Sequence, residues 1–376
     1  MGTGLKPAPP APAHAARYRR LVGVGGIGAG IFFALEGSHD LGRNESRPGR
    51  LLDVRDYCKL HIVAHYPAVL LGACREGTPF LVLPVGKVGI DETALRLRAE
   101  MSQTGMDTRF VDTVPGRPTL LSVCFQYPDG SGGNITTVDA AAALLSPKDV
   151  DRALPWLDHE TLAVAVPEVP LPVRLHLLRR ATERGSFRAA SLTTAEVVEA
   201  RESGLFRLVD LVALNEDEAG ALVGAPFPPD AEASFLRRCA EAVGTGVRLV
   251  ITAGVRGAFA WDGEAWSHAP SLPVPVVSTA GAGDALLGGI LAGLAFGLPF
   301  VHHGPRRARL AERPLTTAFD LGVLLAAFKV TSPHTIPPGL SPAVLAAFAR
   351  EHGLTFGGGL RKLLAAEDAP EHGHER

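Results

Sequence analysis

The chain has 376 residues, of which 46% are hydrophobic, enough to build one large α/β domain or two modest ones. Basic and acidic residues nearly balance, at 37 and 39, so composition gives no support for nucleic acid or an anionic membrane surface as a partner. No apolar run approaches the roughly 18 residues that cross a bilayer. The four cysteines lack Cys-x-x-Cys spacing, which argues against zinc and disulfides and favours a reducing cytoplasm.

Both ends of the chain have the composition of tails. Residues 1–16 are rich in Ala, Pro and Gly and predict a disordered tail. The polar C-terminus predicts a flexible tail over 361–376, which leaves a single domain over 17–360.

The first half of the chain begins with a strand at 21–24 that runs into the glycine-rich segment 25–30. Hydrophobic spacing then predicts helices at 57–71 and 93–103, and strands at 80–84 and 110–114. Residues 119–127 and 135–138 are β-rich and flank Pro128-Asp129-Gly130, which predicts a hairpin.

In the second half, strands alternate with helices. Strands are predicted at 162–166, 188–192, 208–214, 247–252 and 272–277, with a hairpin over 258–268. Helices are predicted at 173–184, 194–202, 216–223 and 231–243, after Asp284, and at 318–331. This alternation favours a mainly parallel sheet that is covered on both faces.

The most informative segment is Ser278-Thr279-Ala280-Gly281-Ala282-Gly283-Asp284, a glycine turn that opens an apolar helix. Flexible glycines let the amides of Gly281, Ala282 and Gly283 converge at a helix N-terminus, which attracts anions. Asp284 in such a turn is poorly suited to hold a phosphate but well suited to take a proton from a hydroxyl. The segment predicts phosphoryl transfer with Asp284 as general base.

Two further motifs follow buried strands, at the edge where α/β sheets bind ligands. One is Asn215-Glu216-Asp217-Glu218, and the other is Thr252-Ala253-Gly254-Val255-Arg256-Gly257. An acid-rich helix start and a plain strand–turn–strand are the alternative interpretations of these two segments.

Together these motifs resemble the ribokinase-like, or PfkB, carbohydrate kinases, whose signature is Asp-Thr-x-Gly-Ala-Gly-Asp; Ser278 replaces the first acid. The resemblance implies a three-layer α/β/α sandwich with a mainly parallel sheet and a small β lid, formed by about 30–55 and 117–140. It also implies ATP and Mg²⁺ as cofactors. Asn215 and Glu218 would organise magnesium and phosphates, while Thr252, Gly254 and Gly257 would contact the nucleotide. The acceptor would be a sugar, a sugar derivative or a nucleoside, and a homodimer is an expectation by analogy.

The substrate-binding half departs from the family pattern. The acid expected after the first strand is absent from 25–30, and residues 56–61 replace a Gly-Gly-x-x-Asn element. Asp56, Lys59, His61 and His65 are candidates for a replacement site, although the two histidines also fit a packed helix face.

Glu168, Lys59 and Asn134 are the predicted substrate contacts, with Glu168 standing where the family often has an acid.

Two other functions compete with a kinase. Loss of the usual substrate residues is compatible with a non-catalytic protein that binds a nucleotide or metabolite. Gly23-x-Gly25-x-x-Gly28 fits a dinucleotide fingerprint, as in an NAD-dependent dehydrogenase. The basic stretch 302–313 is predicted to be a solvated loop, with a phosphate patch as the alternative.

Overall fold

The computed structural model describes residues 17–76, 78–128, 132–228 and 232–365. The predicted tail at 1–16, residues 366–376 and part of the turn at 128–130 lie outside the described residues. Thirteen strands are described, in chain order: β1 Arg20–Val24, β2 Gly28–Leu35, β3 Gly49–Tyr57, β4 Leu81–Val88, β5 Phe110–Thr113, β6 Leu120–Gln126, β7 Gly132–Thr136, β8 Thr161–Ala165, β9 Phe187–Ser191, β10 Leu211–Asn215, β11 Arg248–Thr252, β12 Ala258–Trp261 and β13 Trp266–Ala269.

Eleven α-helices are described, of which eight were predicted from the sequence and three, at 147–151, 342–351 and 358–364, were not. The eleven helices are α1 Lys59–Leu70, α2 Glu92–Gln103, α3 Pro147–Asp151, α4 Leu171–Glu183, α5 Val197–Glu202, α6 Glu216–Val223, α7 Glu232–Val243, α8 Ala282–Phe296, α9 Ala318–Val330, α10 Pro342–Glu351 and α11 Gly358–Leu364. Within the described ranges, no helix is both long and apolar enough to traverse a lipid bilayer.

The large sheet has the order β13-β12-β11-β10-β9-β8-β1-β4-β5. All its pairings are parallel except those of the hairpin β12–β13 at one edge. Helices α1, α2 and α8–α11 contribute to the core on one face of this sheet, and α3–α7 contribute to the core on the other. This arrangement confirms the predicted three-layer α/β/α sandwich.

A second sheet, which we call the lid sheet, has the order β3-β2-β6-β7. It confirms the predicted hairpin, because β6 and β7 pair antiparallel, and it adds β2 parallel to β6. The end of β3 is fastened to the loop after α9. Arg55 N donates to His334 Nδ1 at 2.9 Å, Tyr57 N donates to Thr335 Oγ1 at 3.0 Å, and Thr335 N donates to Arg55 O at 3.1 Å.

The dinucleotide-fingerprint alternative lacks the helix that it requires, because Gly28 opens strand β2. Two sequence predictions are corrected. Residues 272–277 form no strand, because Pro273 and Pro275 have no N–H to donate to a ladder. The predicted tail from 361 is wrong at its start, since residues 361–364 belong to α11, where Leu360, Leu363 and Leu364 are buried.

Candidate functional site

The predicted site residues gather at the carboxyl edge of the large sheet. Asn215 and Thr252 are register partners at the ends of β10 and β11. Glu168 follows β8, three residues beyond Ala165. Because these strands are parallel, their ends open on the same side, where α/β sheets bind ligands.

The glycine turn before α8 provides backbone donors. Gly281 caps the helix with φ of 79°, a left-handed conformation that favours glycine. Ala282 N donates to Thr279 O at 3.1 Å, so its amide stabilises the turn itself and is not a free donor as predicted. The amides of Gly281, Gly283 and Asp284 have no acceptor among the described residues. These three amides are available to bind an anion at the N-terminus of α8.

Asp284 is buried, with 7% of its surface exposed, and it has a cationic partner. Lys59, at the first position of α1, places its Nζ 3.3 Å from Asp284 Oδ2. The Asp284 carboxylate is the main cause of a raised pKa of Lys59, and Glu168 and Glu218 add to it. Lys59 is therefore a permanent cation among three carboxylates.

Glu168 occupies the space that the first strand leaves vacant. Its Oε2 accepts a hydrogen bond from Lys59 N at 2.9 Å, and its backbone has φ of 74°. A Cβ added to Gly26 would lie only 2.3 Å from Glu168 Oε2. Burial raises the pKa of Glu168 to about 7, and the nearby Asp284 contributes. An acid after β8 thus fills the position where an acid after β1 was expected and is absent.

Asp56 is a second carboxylate placed against a glycine. It is the register partner of Gly30, whose added Cβ would lie 1.8 Å from Asp56 Oδ2. Burial raises the pKa of Asp56 to about 6, with a smaller contribution from Asp284. The lid sheet thereby brings a carboxyl group within electrostatic range of the base.

Asn215 and Glu218 form a capping box at the start of α6. Asn215 Oδ1 accepts from Glu218 N at 2.8 Å, and Glu218 Oε2 accepts from Asn215 N at 2.8 Å. Burial raises the pKa of Glu218 to about 7, while Lys59 lowers it and Asp284 raises it. The electrostatic interaction with both groups shows that Glu218 faces the same site.

The Thr252 motif forms a tight turn after β11. Gly254 has φ of 52°, and Gly257 has φ of 85°. A Cβ on Gly257 would meet Ala269 O at 2.1 Å, so the backbone of this loop packs too closely for any other residue.

Lys329, which the sequence analysis missed, is fully buried beside the glycine turn. Its Nζ donates to Ser278 O at 2.9 Å and to Ser332 O at 3.4 Å. Burial lowers the pKa of Lys329 to about 8, and Asp56 opposes this shift. The only sequence signal was a lysine near the end of helix α9, whose only other charged residue is Asp320.

Some candidates lie apart from this cluster. Asn134 is exposed on β7, opposite Cys124, and does not join the charged groups. His61 is 2% exposed and packs on Tyr57 with ring centroids 4.5 Å apart. Burial lowers the pKa of His61 to about 3 and that of His65 to about 4. Both histidines are therefore neutral core residues, as in the packed-face alternative.

Within the described part of the chain, no group of three or more His, Cys, Asp or Glu side chains could hold a metal ion. One carboxylate, Glu218, and one amide, Asn215, still suit Mg²⁺, which keeps most of its waters and binds phosphate oxygens. These residues fit an ion that is held mainly by water and nucleotide.

An α/β sandwich with an acid at an amide-lined helix start, under a β lid, defines a phosphate-handling enzyme of the sugar-kinase type. The pfkB family of carbohydrate kinases matches residues 80–342, and the chain belongs to this family.

Relatives with known names are also sugar kinases. The chain is 28% identical to the deoxyribokinase of Salmonella typhi over 255 residues, covering 68% of this chain and 77% of that protein. It is also 28% identical over 255 residues, or 67% of this chain, to a bifunctional ribokinase/ribose-5-phosphate isomerase A of Fructilactobacillus sanfranciscensis, but covers only 45% of that longer protein.

Solved structures show the same fold at low identity. The ribokinase of Thermotoga maritima matches with a TM-score of 0.65 and 18% identity, covering 88% of this chain and 99% of that one. The aminoimidazole riboside kinase of Salmonella enterica, solved with aminoimidazole riboside and an ATP analogue, matches with a TM-score of 0.62 and 20% identity, over 87% and 99% of the two chains.

Proposed function

We propose that the protein transfers the γ-phosphoryl group of ATP to a hydroxyl of a sugar, a sugar derivative or a nucleoside, with Asp284 as general base. The observation that carries this proposal is the placement of Asp284. It is a buried carboxylate in the first turn of α8, beside three backbone amides without acceptors.

The chain's own groups divide the work of phosphoryl transfer. The amides of Gly281, Gly283 and Asp284 receive the negative charge of the transferring group. Lys59 holds the Asp284 carboxylate in position through the contact between Nζ and Oδ2, so that the carboxylate takes the proton of the acceptor hydroxyl. Since the transition state needs mainly positioning and charge stabilisation, this set is chemically sufficient once nucleotide is bound.

The nucleotide side of the site lies along β10 and β11. Thr252, Gly254 and Gly257 line the path of the nucleotide, and the tight Gly257 turn allows its close approach. Asn215 and Glu218 hold Mg²⁺ through water. When bound, the ion neutralises charge on the phosphates.

On the acceptor side, acidic residues lie at other positions in the chain than the one after the first strand. Glu168 and Asp56 accept hydrogen bonds from acceptor hydroxyls, and Lys59 lies between the two sides. Burial raises the pKa of both carboxyl groups, so an acceptor that donates hydrogen bonds to the charged forms is favoured over an apolar one. The named relatives phosphorylate or bind sugars, which supports this acceptor class.

The test combines an acceptor screen with one isosteric substitution. Wild type is assayed for ATP consumption with Mg²⁺ and a panel of pentoses, hexoses, sugar amines and nucleosides. Asp284→Asn should lower kcat by about 10²- to 10⁴-fold, the usual contribution of a general base, and leave nucleotide binding within a few-fold. Asp217→Asn, an exposed acid on α6, is the matched control. Full activity in Asp284→Asn would refute the assignment, and no turnover with any acceptor would favour the non-catalytic alternative.

A further inference from the structure

A second basic site lies away from the glycine turn. A cavity of about 230 Å³ is enclosed by β13, the segment 301–316 and the first turn of α9. Its wall includes His268, His302, Arg307, Arg313, Thr317 and Asp320. One water occupies about 30 Å³ in the liquid, so the cavity has room for a small ligand.

Arg307 is buried in this wall with unused donors. The residue is 5% exposed, and its Nη2 donates to Asp320 Oδ1 at 2.6 Å. Its Nε and Nη1 are buried and have no hydrogen-bond partner in the described structure. Leaving such donors unpaired costs about 1–3 kcal/mol each, and more on a charged group, so a buried guanidinium in this state calls for an acceptor. Most of the stretch 302–313 is exposed, as predicted for a solvated loop, but Arg307 and Leu310 are buried.

The acid beside Arg307 is already fully engaged. Asp320 Oδ1 accepts from Arg307, and Asp320 Oδ2 accepts from Thr316 N at 2.9 Å and Thr317 N at 3.1 Å. The charge of Asp320 therefore stabilises the N-terminus of α9 as well as Arg307. Asp320 does not supply an acceptor for the remaining donors of Arg307.

A second guanidinium lines the same cavity. Arg313 is half-buried and has no ion pair or side-chain hydrogen bond among the described residues. A Cβ on Gly304 would lie 2.8 Å from Arg313 Nη1, so the glycine makes room for this side chain. By contrast, Arg306 is neutralised by Glu232 at 2.9 Å. The cavity therefore contains two arginines against one carboxylate.

The wall contains two histidines, His268 and His302, and His268 is not a further donor. His268 Nε2 lies 2.8 Å from Arg256 O, and Nδ1 lies 3.2 Å from the Arg306 Nε donor. Nδ1 is thus assigned as acceptor and Nε2 as donor, and burial lowers the pKa of the ring. Recognition in the cavity depends chiefly on the two arginines, whose charge is permanent.

We propose that this cavity binds an oxyanion of the phosphate class, either free phosphate or the phosphate of a small metabolite. Guanidinium groups present planar, charged donors that suit phosphate oxygens, and partial burial strengthens these hydrogen bonds. Residues Arg307 and Arg313 hold the anion.

The site is separate from the phosphates of the proposed nucleotide. The cavity is at the first turn of α9, whereas the turn at 278 is bonded to the other end of that helix, where Val330 O accepts from Val277 N at 2.7 Å. A helix of 13 residues is about 20 Å long. That distance exceeds the reach of a triphosphate chain bound at the glycine turn.

The test is a calorimetric titration of the full-length protein with inorganic phosphate. It is run with and without a non-hydrolysable ATP analogue, which covers the glycine turn. Wild type should bind phosphate in both cases, while Arg307→Met and Arg313→Gln should each weaken binding at least about tenfold, as expected for the loss of a charged hydrogen bond. Arg309→Ala, in the same segment, exposed and outside the cavity wall, should match wild type.

The Arg313→Gln variant keeps the Arg307–Asp320 pair, so it tests the site even if Arg307→Met does not fold. The proposal is overturned if wild type binds no phosphate once the analogue is present, or if Arg313→Gln binds phosphate like wild type. Ribose 5-phosphate binding more tightly than phosphate would identify a phosphorylated metabolite as the ligand; equal or weaker binding would identify the free ion. Failure of the ATP analogue to bind would count against the proposed function alone, because the variants are also compared without it.

Discussion

Replacing Lys59 by Met tests whether the cation beside Asp284 contributes to catalysis through its ion pair with that carboxylate. Lys59 Nζ lies 3.3 Å from Asp284 Oδ2, and at an effective dielectric constant of about 20 this corresponds to an attraction of about 5 kcal/mol. About a third of the Lys59 side chain is exposed, at 32%, so solvent screens much of this attraction. We take about 1.5–3 kcal/mol as the part of the attraction that remains after screening. Its loss in Lys59→Met corresponds to about a 10- to 100-fold loss in kcat/KM.

The pH profile separates this effect from simple loss of packing. Lys59 also lowers the pKa of Glu168 and Glu218, each of which burial raises to about 7. Without the cation, ionisation of the cluster becomes harder, and the acidic limb of kcat/KM against pH should move up by about one unit.

The assay compares Lys59→Met with Lys59→Arg, which keeps the charge, over pH 5.5–9 using the best acceptor. Lys87→Met is the matched control, since Lys87 also pairs with a carboxylate, Asp149 at 2.8 Å, outside the site. An unshifted acidic limb together with kcat/KM within twofold of wild type would show that the Lys59 ion pair does not contribute to catalysis.

Three further predictions follow from the same geometry. Burial raises the pKa of Glu168 from 4.5 to about 7, so the folded state holds the Glu168 proton more tightly than the unfolded state, and the stabilising contribution is full below pH 4.5 and is lost as the pH rises through 7. Glu168→Gln should therefore reduce the fall in the free energy of unfolding over this pH range by about 1–3 kcal/mol in urea unfolding. An unchanged fall would show that Glu168 does not cause it. Gly257→Ala should raise KM for ATP about tenfold or more through the clash with Ala269 O, whereas Gly263→Ala, with φ of 108° but open space, should cost stability only; equal KM values in the two variants would exclude the clash. Asp56→Asn should raise KM for the acceptor and leave KM for ATP unchanged in steady-state kinetics, and the reverse pattern would place Asp56 on the nucleotide side.

The sequence predicted the local structure of the segments that we propose bind phosphate, because their residues are close together in local motifs. The turn at 278–284 and the box from Asn215 to Glu218 are set by local hydrogen bonds, which short-range spacing encodes. Glu168 was found from its position after a strand.

The acceptor half could be predicted only in part, because it depends on pairing between distant segments. Asp56 was predicted only as one of several candidate residues. Its position beside Gly30 depends on the pairing of β2 with β3, which the sequence does not reveal. Lys329 is 51 residues along the chain from Ser278 and Arg307 is 13 residues from Asp320, so no short-range pattern marks either contact. The strand predicted at 272–277 was wrong because its valines favour a strand but its two prolines prevent one. The homodimer stays a prediction.

The hydrogen bonds between β3 and the loop after α9 connect the lid sheet to the glycine turn. Thr335 bonds to Arg55 and Tyr57 on the lid side, and a Cβ on Gly281 would lie 3.1 Å from Thr335 O on the turn side. Lys329 bridges Ser278 O and Ser332 O within the same stretch. We therefore expect a shift of the lid strand to move the backbone that presents the amides, so that acceptor binding is coupled to alignment of the phosphoryl group.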